Sequence, residues 1–153
     1  LVEFYKKEDR KCFEFQYEIN MDGILEIPEL NSAIRVKILR KLDWECENEK
    51  EERIEKGIKT CRLSYDKIQA CGCRPVIRTR RQGDYIRPLG MKGRKKLQDF
   101  FVDGKYPGEE RDRMPLLCLG SEVIWVIGSR ISENYKVEDD TERIIVLEFS
   151  SEI

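Results

Sequence analysis

The seven residues from Glu122 to Gly128 (EVIWVIG) constrain this chain more than any others. An almost unbroken apolar run of that length offers water no polar face. It reads as a β-strand buried on both sides. The neighbouring segments agree. Pro115 to Leu119 is short and apolar, and Arg143 to Phe149 closes the chain with another strand pattern.

Strict alternation appears in the first half. From Cys12 to Ile19, Phe13, Phe15, Tyr17 and Ile19 fall on one face, with Glu14, Gln16 and Glu18 on the other. Asp22-Gly23 predicts a hairpin turn. Ile24 to Pro28 then returns as a short strand that the proline ends. Ala33 to Lys41 alternates again, with Ile34, Val36 and Ile38 inward and Arg35 and Lys37 outward, which predicts a meander with one wet face. Trp44 to Gly57 breaks the pattern. It is acidic and poor in apolar positions, either a solvated helix ending at Gly57 or a loop, and a mobile connection is the favoured reading. Cys61, Leu63 and Tyr65 alternate with Arg62 and Ser64 in a further strand.

Ala70 to Pro75 is turn-rich and sets an internal boundary. Residues 1–72 are expected to form a strand-rich connecting subdomain and 73–153 a C-terminal subdomain. Val76 to Arg81 reads as a strand carrying Arg78 and Arg80 on one face. Gln82-Gly83-Asp84 turns the chain, with Asp84 bonding its own backbone. A glycine- and proline-bounded loop follows from Arg87 to Gly93. Arg94 to Val102 predicts a short helix with Leu97, Phe100 and Phe101 on its apolar stripe and Lys92, Lys95, Lys96 and Asp99 opposite. Asp99 is expected to pair with Lys95. Pro107 to Arg113 predicts a second short helix, acidic toward its N-terminus. By residues alone the fold class is α+β and β-rich.

Composition enters through what it excludes. The chain has 153 residues and no histidine, which removes Ser-His-Asp and Cys-His catalysis and His-ligated metals. Forty per cent of the residues are hydrophobic, enough for a packed core. No apolar run approaches the roughly 20 residues of a membrane-spanning helix, and no leader follows Leu1, so no membrane partner and a cytoplasmic location are expected. The Leu1 start suggests a piece of a longer protein. Six cysteines in a chain of this size read as reduced thiols. Cys71-Gly72-Cys73 is half of a zinc knuckle without its second half, so no metal is assigned.

The net charge of −1 hides an asymmetry. Residues 74–105 hold ten cations against Asp84, Asp99 and Asp103, a local +7, while the rest of the chain carries 19 cations and 27 anions, −8. Seven acids against Lys50 and Arg53 form an acidic pole from Asp43 to Glu55. A local field attracts a polyanion whatever the total charge. The loop Gly90-Met91-Lys92-Gly93-Arg94-Lys95-Lys96 fails the Walker spacing and lacks its Ser or Thr. What remains is a basic helix start suited to nucleic-acid phosphates. Phe100, Phe101 and Trp125 are core by pattern. No acid pair, metal cluster or nucleophile elbow stands out, so the residues assign no catalysis to this chain. They describe a nucleic-acid-binding module.

Tyr65 to Phe149 carries a more specific pattern. YDKIQ, then IRTRRQGDYIRPLGMKGRKKLQDFFVDGKYPGEERDRMPLL, then VIWVIGSRISENYKV, resemble the C-terminal domain of bacterial tRNA(Ile)-lysidine synthases. The preceding half, with its IPEL segment, is similar to the region that family carries before its final domain. Cys71-Gly72-Cys73 departs from the apolar pair usual there. The resemblance implies a layered, β-sandwich-like fold with short helices, like that of a tRNA-synthetase editing-subunit domain. It implies an enzyme that uses ATP and magnesium to adenylate the wobble cytidine of tRNA(Ile), which lysine then attacks to give lysidine. That chemistry belongs to an N-terminal catalytic domain with a Ser-Gly-Gly-x-Asp-Ser loop, a motif this sequence lacks, so neither catalytic residues nor cofactors are expected here. The implied partners are tRNA(Ile), gripped around its acceptor stem, and that catalytic domain; no DNA partner is expected. The expected tRNA contacts are Arg78, Arg80, Arg81, Arg87, Lys92, Arg94, Lys95, Lys96 and Lys105. Arg111 and Arg130 follow as weaker candidates, Arg130 alternatively as a buried structural partner. A dimerisation or protein-interaction role for the same domain, through EVIWVIG or an edge strand and giving a homodimer, is the alternative.

Overall fold

A computed structural model describes residues 13–19, 22–48 and 57–151. Its strands are β1 (Gln16–Glu18), β2 (Gly23–Ile27), β3 (Ser32–Arg40), β4 (Ile58–Ser64), β5 (Val76–Arg78), β6 (Tyr85–Ile86), β7 (Lys95–Lys96), β8 (Leu116–Leu119), β9 (Glu122–Val126) and β10 (Arg143–Ser151). The helices are α1 (Lys41–Asn48), α2 (Tyr65–Cys71), α3 (Leu97–Asp103) and α4 (Gly108–Arg111). Two sheets result, one ordered β1-β5-β8-β9-β6-β7 and the other β2-β3-β10-β4. The class is α+β and β-rich, as expected. None of the helices among the described residues is long and apolar enough to cross a membrane.

β9 lies inside the larger sheet between β8 and β6, buried at every position. Val123 and Val126 pack with Ile86, Leu97, Phe101 and Leu116, the layer that α3 covers. Ile124 and Trp125 belong to the opposite layer, between the sheets, with Ile77 and Leu117 from the larger sheet and Leu63 and Leu147 from the smaller. Two consecutive residues reach the same layer because the pairing with β8 slips. Leu117 faces Trp125 while Cys118 faces Val123, which leaves Ile124 as the extra residue of a bulge. The order of layers is therefore small sheet, large sheet, helix. Each large apolar side chain fully buried in them contributes roughly 1.5–3 kcal/mol. With both faces covered and both edges paired, EVIWVIG offers no surface to a partner, which corrects the expectation that it could form a dimer contact.

The two sheets share chain from both sides of the boundary expected near residue 72. β10 enters the small sheet between β3 and β4, with Leu147 opposite Val36 and Cys61. β1 pairs with β5, Gln16 opposite Arg78. The expected hairpin at Asp22-Gly23 is thus corrected. Asp22 does adopt a left-handed conformation, φ 55°, but the turn carries the chain from one sheet to the other, and β2 pairs with β3 instead. A two-residue signal specifies a reversal and leaves the strand's partner open. The aromatic face of β1 is needed between the sheets, where Phe15 is buried.

Three further boundaries differ. Lys41–Asn48 is helical; the remainder of the acidic stretch, 49–56, lies outside the described residues. α2 is an element the alternation concealed. Ser64 caps it, accepting a hydrogen bond from the Lys67 amide, and Gly72 closes it in the left-handed conformation, φ 74°. Lys95 and Lys96 form β7 against β6 rather than the first turn of a helix, so α3 begins at Leu97. The apolar stripe itself holds: Leu97 and Phe101 are buried and Phe100 packs beside them.

Cys61 and Cys118 are buried free thiols, whereas Cys71 and Cys73 are exposed free thiols. Burial pushes the Cys118 thiol up to about 12, and burial alone pushes Cys61 well above its ordinary value. A thiol reacts as its thiolate. Iodoacetamide on the native chain at neutral pH is therefore expected to alkylate Cys71 and Cys73 and to spare Cys61 and Cys118 until denaturant is added. Peptide mass mapping would check this, and early labelling of Cys118 would contradict the packing beneath α3.

Candidate nucleic-acid interface

The basic segment is organised around a buried ion pair. Arg78 leaves the end of β5 with 3% of its side chain exposed and Asp84 faces it with 2%. Both terminal nitrogens of Arg78 donate to Asp84, at 2.8 Å each, and also to the carbonyls of Thr79 and Gly120. Burial is the largest single influence and works against the guanidinium charge, but the hydrogen bonds to Asp84 together with the charge interactions with Cys118 and Asp84 outweigh it and hold its pKa above the ordinary arginine value. Asp84 also accepts from the Arg81 amide at 2.7 Å, the expected turn bond, and its carbonyl accepts from Leu97 N at 3.0 Å. One aspartate thus ties the 79–84 turn to the start of α3. No side chain here is left to meet a phosphate, so Arg78 leaves the expected contact set and becomes internal.

What the pair supports is a polar cleft of about 1170 Å³ between that turn, β7 with the start of α3, and the end of α4. Arg80, Arg81, Arg94, Lys96 and Arg111 line it. Arg80 reaches across to Asp112, 2.7 Å away, with its guanidinium 5.9 Å from the Phe101 ring centre. Arg94 lies 4.7 Å over the Tyr85 ring. Arg111 is aimed by a 2.8 Å hydrogen bond to the Tyr106 carbonyl, and Arg81 bonds Gln16. Arg94 and Lys96 have no carboxylate partner among the described residues. Gln98 and Ser121 add neutral hydrogen-bonding groups. Five cations face Asp112 and an Asp84 already neutralised by Arg78. Such a surface suits phosphates spaced along a backbone, gripped by planar guanidiniums, with neutral groups beside them for ribose hydroxyls.

The remaining expected contacts are dispersed. Arg87 is half-buried and bonds the buried Glu122 carboxylate at 3.1 Å. Lys95 pairs with Asp103, not with Asp99 as expected, because β7 points it along the outside of α3. Lys92 and Lys105 are exposed but do not line the cleft. Arg130 is exposed, which removes the reading of it as a buried partner, and it does not line the basic cleft. Arg111, a weaker candidate by sequence, stands in the cleft wall as the last residue of α4, a placement that no local signal in the sequence reports.

The Arg87–Gly93 loop is pinned from below. Glu133 accepts from Gly90 N at 2.8 Å and its own amide donates to the Arg87 carbonyl at 2.8 Å. A hydrogen bond from Lys136, then one from Gly90, hold the Glu133 carboxyl below its ordinary pKa. A group with a lowered folded pKa contributes its hold above the ordinary value and loses it as pH falls through the folded one. The loop is therefore fastened at neutral pH. Leu89 and Met91 stand exposed on it. Among the described residues no group of three or more His, Cys, Asp or Glu could hold a metal ion.

Comparison with known proteins follows the same region. Residues 76–148 match the sequence family described as the TilS substrate C-terminal domain. Over 147 residues, 95% of its length, the chain is 34% identical to the tRNA(Ile)-lysidine synthase of Clostridium acetobutylicum, of which it covers 30%. Over 90 residues, 59% of its length, it is 47% identical to the tRNA(Ile)-lysidine synthase of Caldanaerobacter subterraneus, of which it covers 19%. The chain thus spans less than a third of either relative. A crystal structure of a TILS C-terminal domain superposes with a TM-score of 0.66 at 23% identity, covering 92% of this chain and 99% of that one, and so shares the fold.

Proposed function

This chain belongs to the TilS substrate C-terminal domain family and is homologous to the C-terminal part of tRNA(Ile)-lysidine synthases, and from that premise we propose that it is the part of such an enzyme that grips tRNA through the Arg80–Arg111 cleft. The ATP- and lysine-dependent conversion of the wobble cytidine belongs to the catalytic domain of the longer enzyme, with this chain contributing affinity and orientation at the acceptor stem. The observation that carries the reading is the convergence of Arg80, Arg81, Arg94, Lys96 and Arg111, from three separate stretches of sequence, on one cleft. An A-form stem presents phosphates and 2′-hydroxyls across a wide, shallow minor groove, and bidentate guanidiniums match that chemistry.

The test is binding of this chain to tRNA(Ile) and to initiator tRNA(Met), side by side, at two salt concentrations. Tighter, salt-sensitive binding of tRNA(Ile) is expected. With roughly five phosphates contacted, log affinity should fall against log salt with a slope of about −4. A flat salt dependence would overturn the electrostatic basis of the proposal, and equal affinity for the two tRNAs would move discrimination out of this chain.

A further inference from the structure

A second cleft of about 740 Å³ opens between α1, β4 and the 129–137 segment, outside the basic cleft. Its character is different. Trp44 and the exposed Arg62 form a stack, the guanidinium 4.1 Å from the indole centre. Ile131, Val137 and Leu89 supply apolar wall, and the exposed Arg130 stands at the rim. The nearby cations are otherwise committed: Lys41 donates to the Glu138 and Asp139 carbonyls and lies 4.0 Å from Glu45, and Lys136 pairs with Glu133. Among the described residues that line the cleft, Arg62 and Arg130 are the two cations with no carboxylate or carbonyl partner. A stacked guanidinium–indole pair with apolar walls and a spare arginine fits a planar, apolar group carrying one phosphate. An acidic peptide would match the charge and leave the stacking face uncovered.

The position of the cleft identifies the occupant further. Leu89 lines this second cleft while Arg94 lines the basic one. The Arg87–Gly93 loop, fastened by Glu133, therefore runs from one to the other, with Lys92 exposed along it. A strand of RNA leaving the basic cleft along that loop arrives at Trp44 and Arg62. We infer that the second cleft takes an unpaired nucleotide of the same RNA, its base stacked on the Arg62–Trp44 pair and its phosphate on Arg130. Guanidinium planes and aromatic rings are the usual platforms for unstacked bases. The inference rests on the RNA-binding reading above.

The experiment compares a short blunt RNA duplex with the same duplex carrying a single-stranded extension, using this chain and its Trp44→Ala and Arg130→Glu variants. The extension is expected to tighten binding to the unaltered chain on the order of tenfold and to quench the emission of Trp44, which is only half-buried whereas Trp125 is 1% exposed. Each variant should lose that gain and keep its affinity for the blunt duplex. Arg130 is exposed, so its variant tests the idea even if Trp44→Ala disturbs α1. Blunt-duplex binding with no gain from the extension would overturn the second site and leave the basic cleft standing. A gain that survives in both variants would also overturn it. Failure to bind either RNA would overturn both readings together.

Discussion

Replacing Asp84 with alanine is expected to cost about 3–5 kcal/mol of folding stability, because it strands a buried guanidinium without its anion. The Arg78 side chain is 3% exposed and gives both terminal nitrogens to Asp84. Two backbone carbonyls satisfy some of its donors but cannot neutralise its charge. The Arg81 amide loses its 2.7 Å acceptor in the same substitution. Against a typical domain stability of about 5–15 kcal/mol, the loss is large. The double variant Arg78→Met, Asp84→Leu is expected to be less destabilised than Asp84→Ala alone. It removes both charges together, and what persists is the unsatisfied turn, about 1–3 kcal/mol. Denaturant midpoints with unchanged slopes would check the order. A single variant within 1 kcal/mol of the unaltered chain would mean that the pair is not sealed from water.

The second large effect is on binding. Arg81, Arg94 and Lys96 are exposed and line the basic cleft, so reversing all three to glutamate should leave the thermal midpoint nearly unchanged. Surface substitutions of this kind usually stay within about 0.5 kcal/mol each. RNA affinity should nonetheless fall below detection at moderate salt, since three attractions become three repulsions. Changing them to alanine is the graded version. Three fewer phosphate contacts should bring the salt slope from about −4 to about −2. Reversing Lys95 instead should do less, because it is already paired with Asp103 outside the cleft. If the Lys95 variant lost as much affinity as the triple one, the RNA path would run along the outer face of α3 instead.

These expectations separate residues that the basic segment presents as equals. Ten cations between Arg74 and Lys105 carry the same formal charge, yet Arg78 is consumed by Asp84, Arg87 by Glu122 and Lys95 by Asp103. Counting charge found the surface and overstated how many members are available to a ligand. It also understated Arg111, whose place in the cleft depends on α4 folding back toward the 79–84 turn. Nothing local to its sequence reports that contact.

Period and composition determined where the longer strands run, that EVIWVIG is buried on both faces, that Leu97 and Phe101 point into a core, and that one stretch is strongly basic. These follow from short-range rules: side chains alternate at a period of two or recur at 3.6, and apolar surface leaves water. Partnership was decided only by the tertiary structure. It sent β1 to β5 rather than β2, placed β10 between two strands from the other end of the chain, and slipped β9 by one residue so that Ile124 and Trp125 share a layer. It likewise turned Arg78 inward and left Arg94 facing the cleft. The physical reason is the same throughout. Which strand or carboxylate completes a given group depends on what lies beside it across tens of residues of sequence, and local pattern carries the demand for a partner without its address.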